Sequence, residues 1–358
     1  MAQLTDDCFA FGGKLTQVDE ALDQLKDTLR PSSKTEQVPL IGALNRILAE
    51  NIISRKNVPA DNNSAVDGFS IYYDDIQSGS ETKLPIMGRA IAGVPLGRLQ
   101  NRGEAVQILT GALMPDGPGG KRPDTVVMIE DCLVDGEVVF LPEGIYRGAN
   151  CRLLGEDIQC GETILRTGCR LRPQEIGLAA SIGCDHLQVM VPLRVAVFST
   201  GNEVLNPGDS LFEGAIYDSN RYTLMQLLKS VGCEVVDLGI LEDDPKIIAD
   251  ALLSATIKYD LILTSGGVST GEEDHVRKVV ENKGSLLFWR LAIKPGRPVA
   301  LGQINDTVFI GLPGNPVAAM VTFLQIARPI ILKLSGANDT VPKLFSVQSD
   351  FSYKKKLH

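Results

Sequence analysis

The stretch YDLILTSGGVSTGEEDHVRKVVEN, residues 259–282, decides the fold. Its apolar run, Tyr259 to Leu263, is too short for a helix and stops at Gly266-Gly267, which reads as a strand buried on both faces. A polar loop follows, and EDHVRKVVEN (273–282) then takes up a helical pattern. On the amino-terminal side, LRVAVFS (193–199) and CEVVDLGI (233–240) read as strands. Between them SNRYTLMQLLKSVG (219–232) reads as a helix capped by Ser219 or Asn220 and closed near Gly232. Another helix is expected after Asp244-Pro245. TVFIGL (307–312) is a strand, and a long helix follows from Pro316 to about Leu334, with Asn315 as cap and Pro316 in its first position. Strands alternating with helices predict an α/β fold, a doubly wound and mostly parallel sheet over 192–341.

The remainder has a different texture. Leu15, Val18, Leu22, Leu25 and Leu29 predict an amphipathic helix over 14–30, ended by Pro31, and Leu40 to Ile53 predicts a second. From Val58 to about Leu141 short β-type runs alternate with Gly, Pro and Asp, and Asp135-Gly136 in CLVDGEVVFL marks a hairpin. RPQEIGLAASIG (172–183) returns to helix. The expected organisation is an elongated mixed linker and dimerisation domain from 9–46 and 156–191, an inserted small β domain at 47–155, the α/β domain at 192–341, and the start of a further β domain at 342–358.

Bulk properties narrow the function. A formal charge of −9 over 358 residues argues against a nucleic-acid partner, which needs a basic face. Seven cysteines without a C-x-x-C pair fit reduced thiols, and three histidines make a His-rich metal site or a Ser-His-Asp hydrolase improbable. The start, MAQLTDDCFAFGG, has acids where a signal peptide needs cations, and no stretch reads as the roughly 20 apolar residues of a membrane span. A cytoplasmic protein without a membrane partner is expected.

In such a sheet ligands bind outside the carboxyl ends of the strands. Three strand ends carry similar loops: Ser199-Thr200-Gly201-Asn202-Glu203, Ser265-Gly266-Gly267-Val268-Ser269, and Leu312-Pro313-Gly314-Asn315-Pro316. Their glycines let backbone N–H groups cradle an anion. Gly266 and Gly271 have P-loop spacing, but Glu272-Glu273 stand where a Walker motif needs Lys and Ser/Thr, so that class is excluded by charge. Acids beside a phosphate cradle make sense when Mg²⁺ bridges them. Asp274, Glu203 and Asp243 are the candidate ligands, against the plainer reading of Glu272–Asp274 as an acidic first helical turn. Lys294 and Arg297 in IKPGRP, with Arg290 just upstream, are cations suited to an oxyanion or phosphate. In the β segment Asp61, Asp67 and Thr110 occupy polar loops of a kind that usually satisfies its own backbone, and Glu156 and Asp157 in GEDI read equally as surface acids. Residue chemistry alone reaches a phosphate-bearing small molecule with a divalent metal.

Taken in order, DNNSAVDGF, LTGALMP, GEDI, FSTGNE, YDSN, LEDDP, SGGVSTGEEDH, LAIKPGRP and GLPGNPVA resemble the molybdopterin molybdenumtransferase family, which includes the carboxyl-terminal domain of gephyrin, from about residue 10 to 335. The resemblance implies an enzyme of molybdenum-cofactor synthesis. It would take adenylylated molybdopterin and molybdate as substrates, release AMP with Mg²⁺ and load molybdenum. It implies functional roles for Asp61, Thr110, Asp157, Glu203, Asp243 and Asp274, basic roles for Arg290 and Lys294, and a loop shaped by Pro313 and Pro316. It also implies a homodimer with a shared cleft and a molybdopterin adenylyltransferase as upstream partner. Family members continue into a β-barrel domain, of which LFSVQSDFSYKKKLH (344–358) resembles the first strand. The alternatives are a molybdopterin-binding or scaffold protein without full turnover, and a nucleotide-binding α/β protein of another pathway.

Overall fold

The computed structural model describes residues 15–26, 29–267, 275–342 and 345–352. The chain divides into two compact units, one of Met1–Glu50, Thr167–Ile176 and Asp185–His358, the other of Asn51–Arg166 and Gly177–Cys184.

The first unit is organised by a six-stranded sheet in the order Glu234–Leu241, Arg194–Thr200, Leu261–Ser265, Thr307–Leu312, Pro298–Ile304, Ser285–Arg290. The first four strands are parallel and the last two antiparallel, so the sheet is mostly parallel as the alternation predicts. Side chains on each strand split between two cores because successive residues point to opposite faces. Val195, Val197, Leu261, Leu263, Ile310 and Leu312 pack with Leu224 and Leu228 of the Ser219–Ser230 helix and with Phe323 and Ile326. Ala196, Phe198, Ile262 and Phe309 pack on the other face with Ile248 and Leu252 of the Pro245–Thr256 helix and Val276, Val279 and Val280 of the His275–Lys283 helix.

The second unit holds another six-stranded sheet, in the order Thr125–Met128, Gly68–Ile71, Ala105–Ile108, Thr82–Ala90, Val138–Leu141, Leu133–Asp135. The expected hairpin is there, with Gly136 at φ 58° between the last two strands. Phe69, Ile71, Val139 and Leu141 fill one core cluster, and Val106, Ile108 and Val126 another.

Several elements depart from expectation. Leu40 to Ile53 is not an α-helix: only Leu40–Gly42 makes a helical turn, of the 3₁₀ kind. Asn45 takes φ 64°, and its N–H donates to Leu171 O while that of Leu48 donates to Cys169 O, so tertiary pairing replaces the local ladder. The amino-terminal helix is shorter, Val18–Lys26. Residues 345–352 hold no strand, and Phe345, Val347 and Phe351 are exposed.

The last helix runs from Pro316 to Leu334 as Pro316–Thr322, a π-helical Phe323–Ala327, and Arg328–Leu334. Pro329 has no N–H for the regular i→i−4 bond, and widening the preceding turn relieves the clash of its ring. Contrary to the expectation of no such stretch, these 19 residues are long and apolar enough to cross a membrane by length and composition. Their most apolar window is 61% buried inside the unit, because Phe323, Ile326, Ile330 and Ile331 back the central sheet.

Replacing Phe198, fully buried between the helices that cover one sheet face, by Ala should cost about 3–5 kcal/mol of stability. Ile257→Ala, at a position 84% exposed, should cost no more than about 0.5 kcal/mol. Urea unfolding followed by circular dichroism measures both; similar midpoints for the two variants would contradict this core.

Candidate functional site

Parallel register brings the strand ends of the first unit side by side. Thr200 stands opposite Leu241, Ser199 opposite Ser265, and Ser265 opposite Leu312. The loops leaving this edge carry Glu203, Asp243, Gly266-Gly267 and Pro313–Pro316. Glu203 is exposed and Asp243 half-buried.

Two loops are laced together by one side chain. Asn220 Nδ2 donates to Ser265 Oγ at 2.8 Å and to Gly314 O at 2.7 Å, and Ser265 Oγ donates to Pro313 O at 3.2 Å. Asn220 is therefore not the helix cap. Asp218 fills that role, its carboxylate accepting from Arg221 N at 3.0 Å. Asn315 is the cap expected of it, accepting from Ala318 N at 3.0 Å with Pro316 next. Asp244, beside Asp243, caps its own helix through Lys246 N and Ile247 N.

Gly267 shows why bare backbone is needed here. It has φ 66°, and a Cβ would lie 2.6 Å from Val276 Cγ2 and 2.9 Å from Thr200 Oγ1. No larger residue fits that close approach without displacing a wall. Beneath the loops, Ser199 Oγ and Thr264 Oγ1 are buried without a hydrogen-bond partner among the described residues, spare polar capacity at a strand-end edge.

Nearby, Arg221 is 2% exposed yet fully charged, with Nε on Asp218 Oδ2 at 2.8 Å, Nη1 on Asp237 at 2.5 Å, and Nη2 on Asn206. These bonds tie the 201–218 excursion, which bears Glu203, to the sheet. The spacing of D-S-N-R in the sequence hinted at a cap but not at this network.

The IKPGRP turn packs on the helix that begins at Pro316. A Cβ on Gly296 would lie 2.5 Å from Thr322 Cγ2, so the turn approaches as closely as a glycine permits. Lys294, exposed, precedes a cis bond to Pro295, and Arg297 is half-buried. The Arg290 side chain, the loop 268–274 and hence Asp274 lie outside the described residues. Among the described residues no group of three His, Cys, Asp or Glu is disposed to hold a metal ion.

In the second unit three loops meet. Asn62 Oδ1 accepts from Leu154 N at 2.7 Å, Asn63 pairs with both Arg152 and Leu113, and Gly111 N donates to Ser64 O at 2.8 Å. Along the chain, Asp61 adjoins Asn62, Thr110 adjoins Gly111, and Asp157 follows Leu154 in the same loop. Arg122, which sequence reading missed, bridges Asp61 at 2.7 Å and Asp116 at 2.6 Å. Its hydrogen bond holds the Asp61 carboxyl below the ordinary aspartate range. Arg152, also missed, donates to Asp157 at 2.5 Å and to Glu156 at 3.3 Å. These arginines lie far from their partners or in unremarkable sequence, so no spacing signals them.

The family described as "MoeA N-terminal region (domain I and II)" matches residues 16–183, and "Probable molybdopterin binding domain" matches residues 196–333. The chain is 40% identical over 343 residues to the molybdopterin molybdenumtransferase of Haemophilus influenzae, covering 94% of this chain and 82% of that protein. It is 35% identical over 311 residues to that of a Nostoc species, covering 84% and 70%. Among solved structures, the molybdopterin biosynthesis MoeA protein of Pyrococcus horikoshii superposes with a TM-score of 0.72 at 29% identity, covering 91% of this chain and 81% of that one.

A depressed folded pKa at Asp61 means its ionised form contributes stability above the unfolded aspartate value of about 3.9, and this is lost as pH falls through the lower folded value. Carboxyl NMR titration should place the Asp61 midpoint below that of an unpaired aspartate. Arg122→Gln should move it upward; an unmoved midpoint would separate Asp61 from Arg122.

Proposed function

The chain belongs to the MoeA family of molybdopterin molybdenumtransferases, and we propose that it inserts molybdenum from molybdate into adenylylated molybdopterin with release of AMP. The single observation carrying this reading onto residues is the register that lines up the Ser199, Ser265 and Leu312 strand ends under glycine loops. Backbone N–H groups there suit a phosphate, while Asn220 keeps two of the loops in one arrangement. Lys294 and Arg297 offer positive charge for phosphate or molybdate.

Glu203 and Asp243 would hold Mg²⁺, with Asp274 as the third acid. Mg²⁺ is commonly held by one or two carboxylates plus substrate phosphate oxygens and retains several waters, so two acids on adjacent strand ends fit it without a closed cage. When bound, it would neutralise charge on the phosphate being cleaved. Glu203→Gln with Asp243→Asn should leave the fold intact and lower Mg²⁺-dependent AMP release by about a hundredfold or more, the scale of one lost electrostatic contact in a reacting site. Unchanged release in the double variant would remove both from the metal role. Pterin binding without AMP release in the unaltered chain would support a binding protein instead.

The β unit contributes Asp61, Thr110 and Asp157 as further functional positions. The proposed assembly is a cytoplasmic homodimer with a cleft shared between subunits, fed by a molybdopterin adenylyltransferase. Mixing Asp61→Ala chains with Glu203→Ala chains should restore part of the activity missing from each. Absence of recovery after verified subunit exchange would exclude a shared cleft.

A further inference from the structure

Thr110 sits at the tip of a turn closed by Ala112 N on Leu109 O at 2.9 Å, with Gly111 at φ 78° supplying the left-handed residue. Both donors of Thr110 go to the same atom. Its N–H and its hydroxyl each donate to Asp67 Oδ1 at 2.7 Å. An ionised carboxylate only accepts, so the one hydroxyl proton of Thr110 is committed to Asp67. The Thr110 side chain is exposed, and what its oxygen offers a ligand is lone pairs.

We infer that Asp67 is a positioning residue that turns Thr110 into a hydrogen-bond acceptor, so that this corner of the β unit recognises an N–H edge of a heteroaromatic ring rather than an oxyanion. This rests on the substrate reading above and deepens it, since adenylylated molybdopterin carries such edges on both its pterin and its adenine. The surroundings favour the same sign. Asp61, Asp67, Asp116, Glu156 and Asp157 line the joined loops against Arg122 and Arg152, both engaged by those acids, and against Arg89, whose charge acts on Asp67, so acids outnumber cations five to three. A phosphate or molybdate oxygen at Thr110 would meet an acceptor backed by a carboxylate, an unfavourable pairing, whereas an amine donor completes the chain N–H to hydroxyl to carboxylate. The Thr110 hydrogen bonds, aided by the charge of Arg89, also hold Asp67 below the ordinary aspartate range, so it stays ionised at neutral pH.

Titration calorimetry on the full chain with four probes tests this: pterin, AMP, inorganic phosphate and molybdate. Thr110→Val, which keeps the shape and removes the hydroxyl, should weaken pterin or AMP roughly fivefold to tenfold, the size of one hydrogen bond, and leave phosphate and molybdate unchanged. Whichever of pterin and AMP responds identifies the ring. Thr110→Ser should restore affinity to within about twofold, which a merely structural threonine would not require of a hydroxyl. Asp67→Asn, checked for folding by circular dichroism, should weaken the same heteroaromatic probe and shift selectivity toward the oxyanions. The inference is overturned if Thr110→Val weakens phosphate or molybdate instead, if it changes neither ring probe, or if the unaltered chain binds neither. Failure of AMP release from adenylylated molybdopterin would refute turnover without altering these binding ratios, so the two readings fail separately.

Discussion

Parallel strands cannot be joined by hairpins, so each must cross over and re-enter the sheet from the same end. That constraint places Thr200, Leu241, Ser265 and Leu312 in one row and delivers every following loop to the same edge. The helices that make the crossovers bury both sheet faces, which is why alternate residues of the Arg194–Thr200 strand belong to two different cores. The chemistry of the α/β unit is a consequence of that row. Ser199 and Thr264 are buried near its end with hydroxyls that no described residue satisfies, a cost that a closed apolar core would avoid.

The two units solve the problem of holding functional side chains in different ways. The α/β unit uses backbone: glycines where a Cβ would collide, prolines and caps at helix starts, and an asparagine stitching loops. The β unit uses ion pairs: Arg122 joins Asp61 and Asp116 from separate loops, and Arg152 holds Glu156 and Asp157 of its own loop. Exposed pairs of this kind add little stability. Their value here is orientation, and at Asp61 also charge state, since the Arg122 hydrogen bond favours the ionised carboxylate there. Arg221 is the exception, an almost fully buried cation satisfied by two carboxylates and an amide, where loss of any partner would leave charge stranded.

The alternation of strand and helix from residue 193 onward, the three glycine loops and the Pro316 helix start were legible because each depends on local properties: hydrophobic period, backbone freedom and proline geometry. The nine motifs in register carried the family for the same reason, since they are contiguous stretches of sequence. The segment from Leu40 to Ile53 shows the limit of such reading. Its apolar spacing suits a helix, yet its N–H groups pair with residues more than a hundred positions away, and a periodicity argument weighs only neighbours.

Side-chain direction belonged wholly to the tertiary structure. The expected helix cap was Ser219 or Asn220, but the loop path aims Asn220 at Gly314 and leaves Asp218 facing the helix N–H groups. Thr110 could have been a donor or an acceptor; only the placement of Asp67, on a strand-joining loop 43 residues earlier, decided which. Local chemistry is written in the order of residues, whereas which donor meets which acceptor depends on distances that exist only after the sheet has closed and its loops are packed.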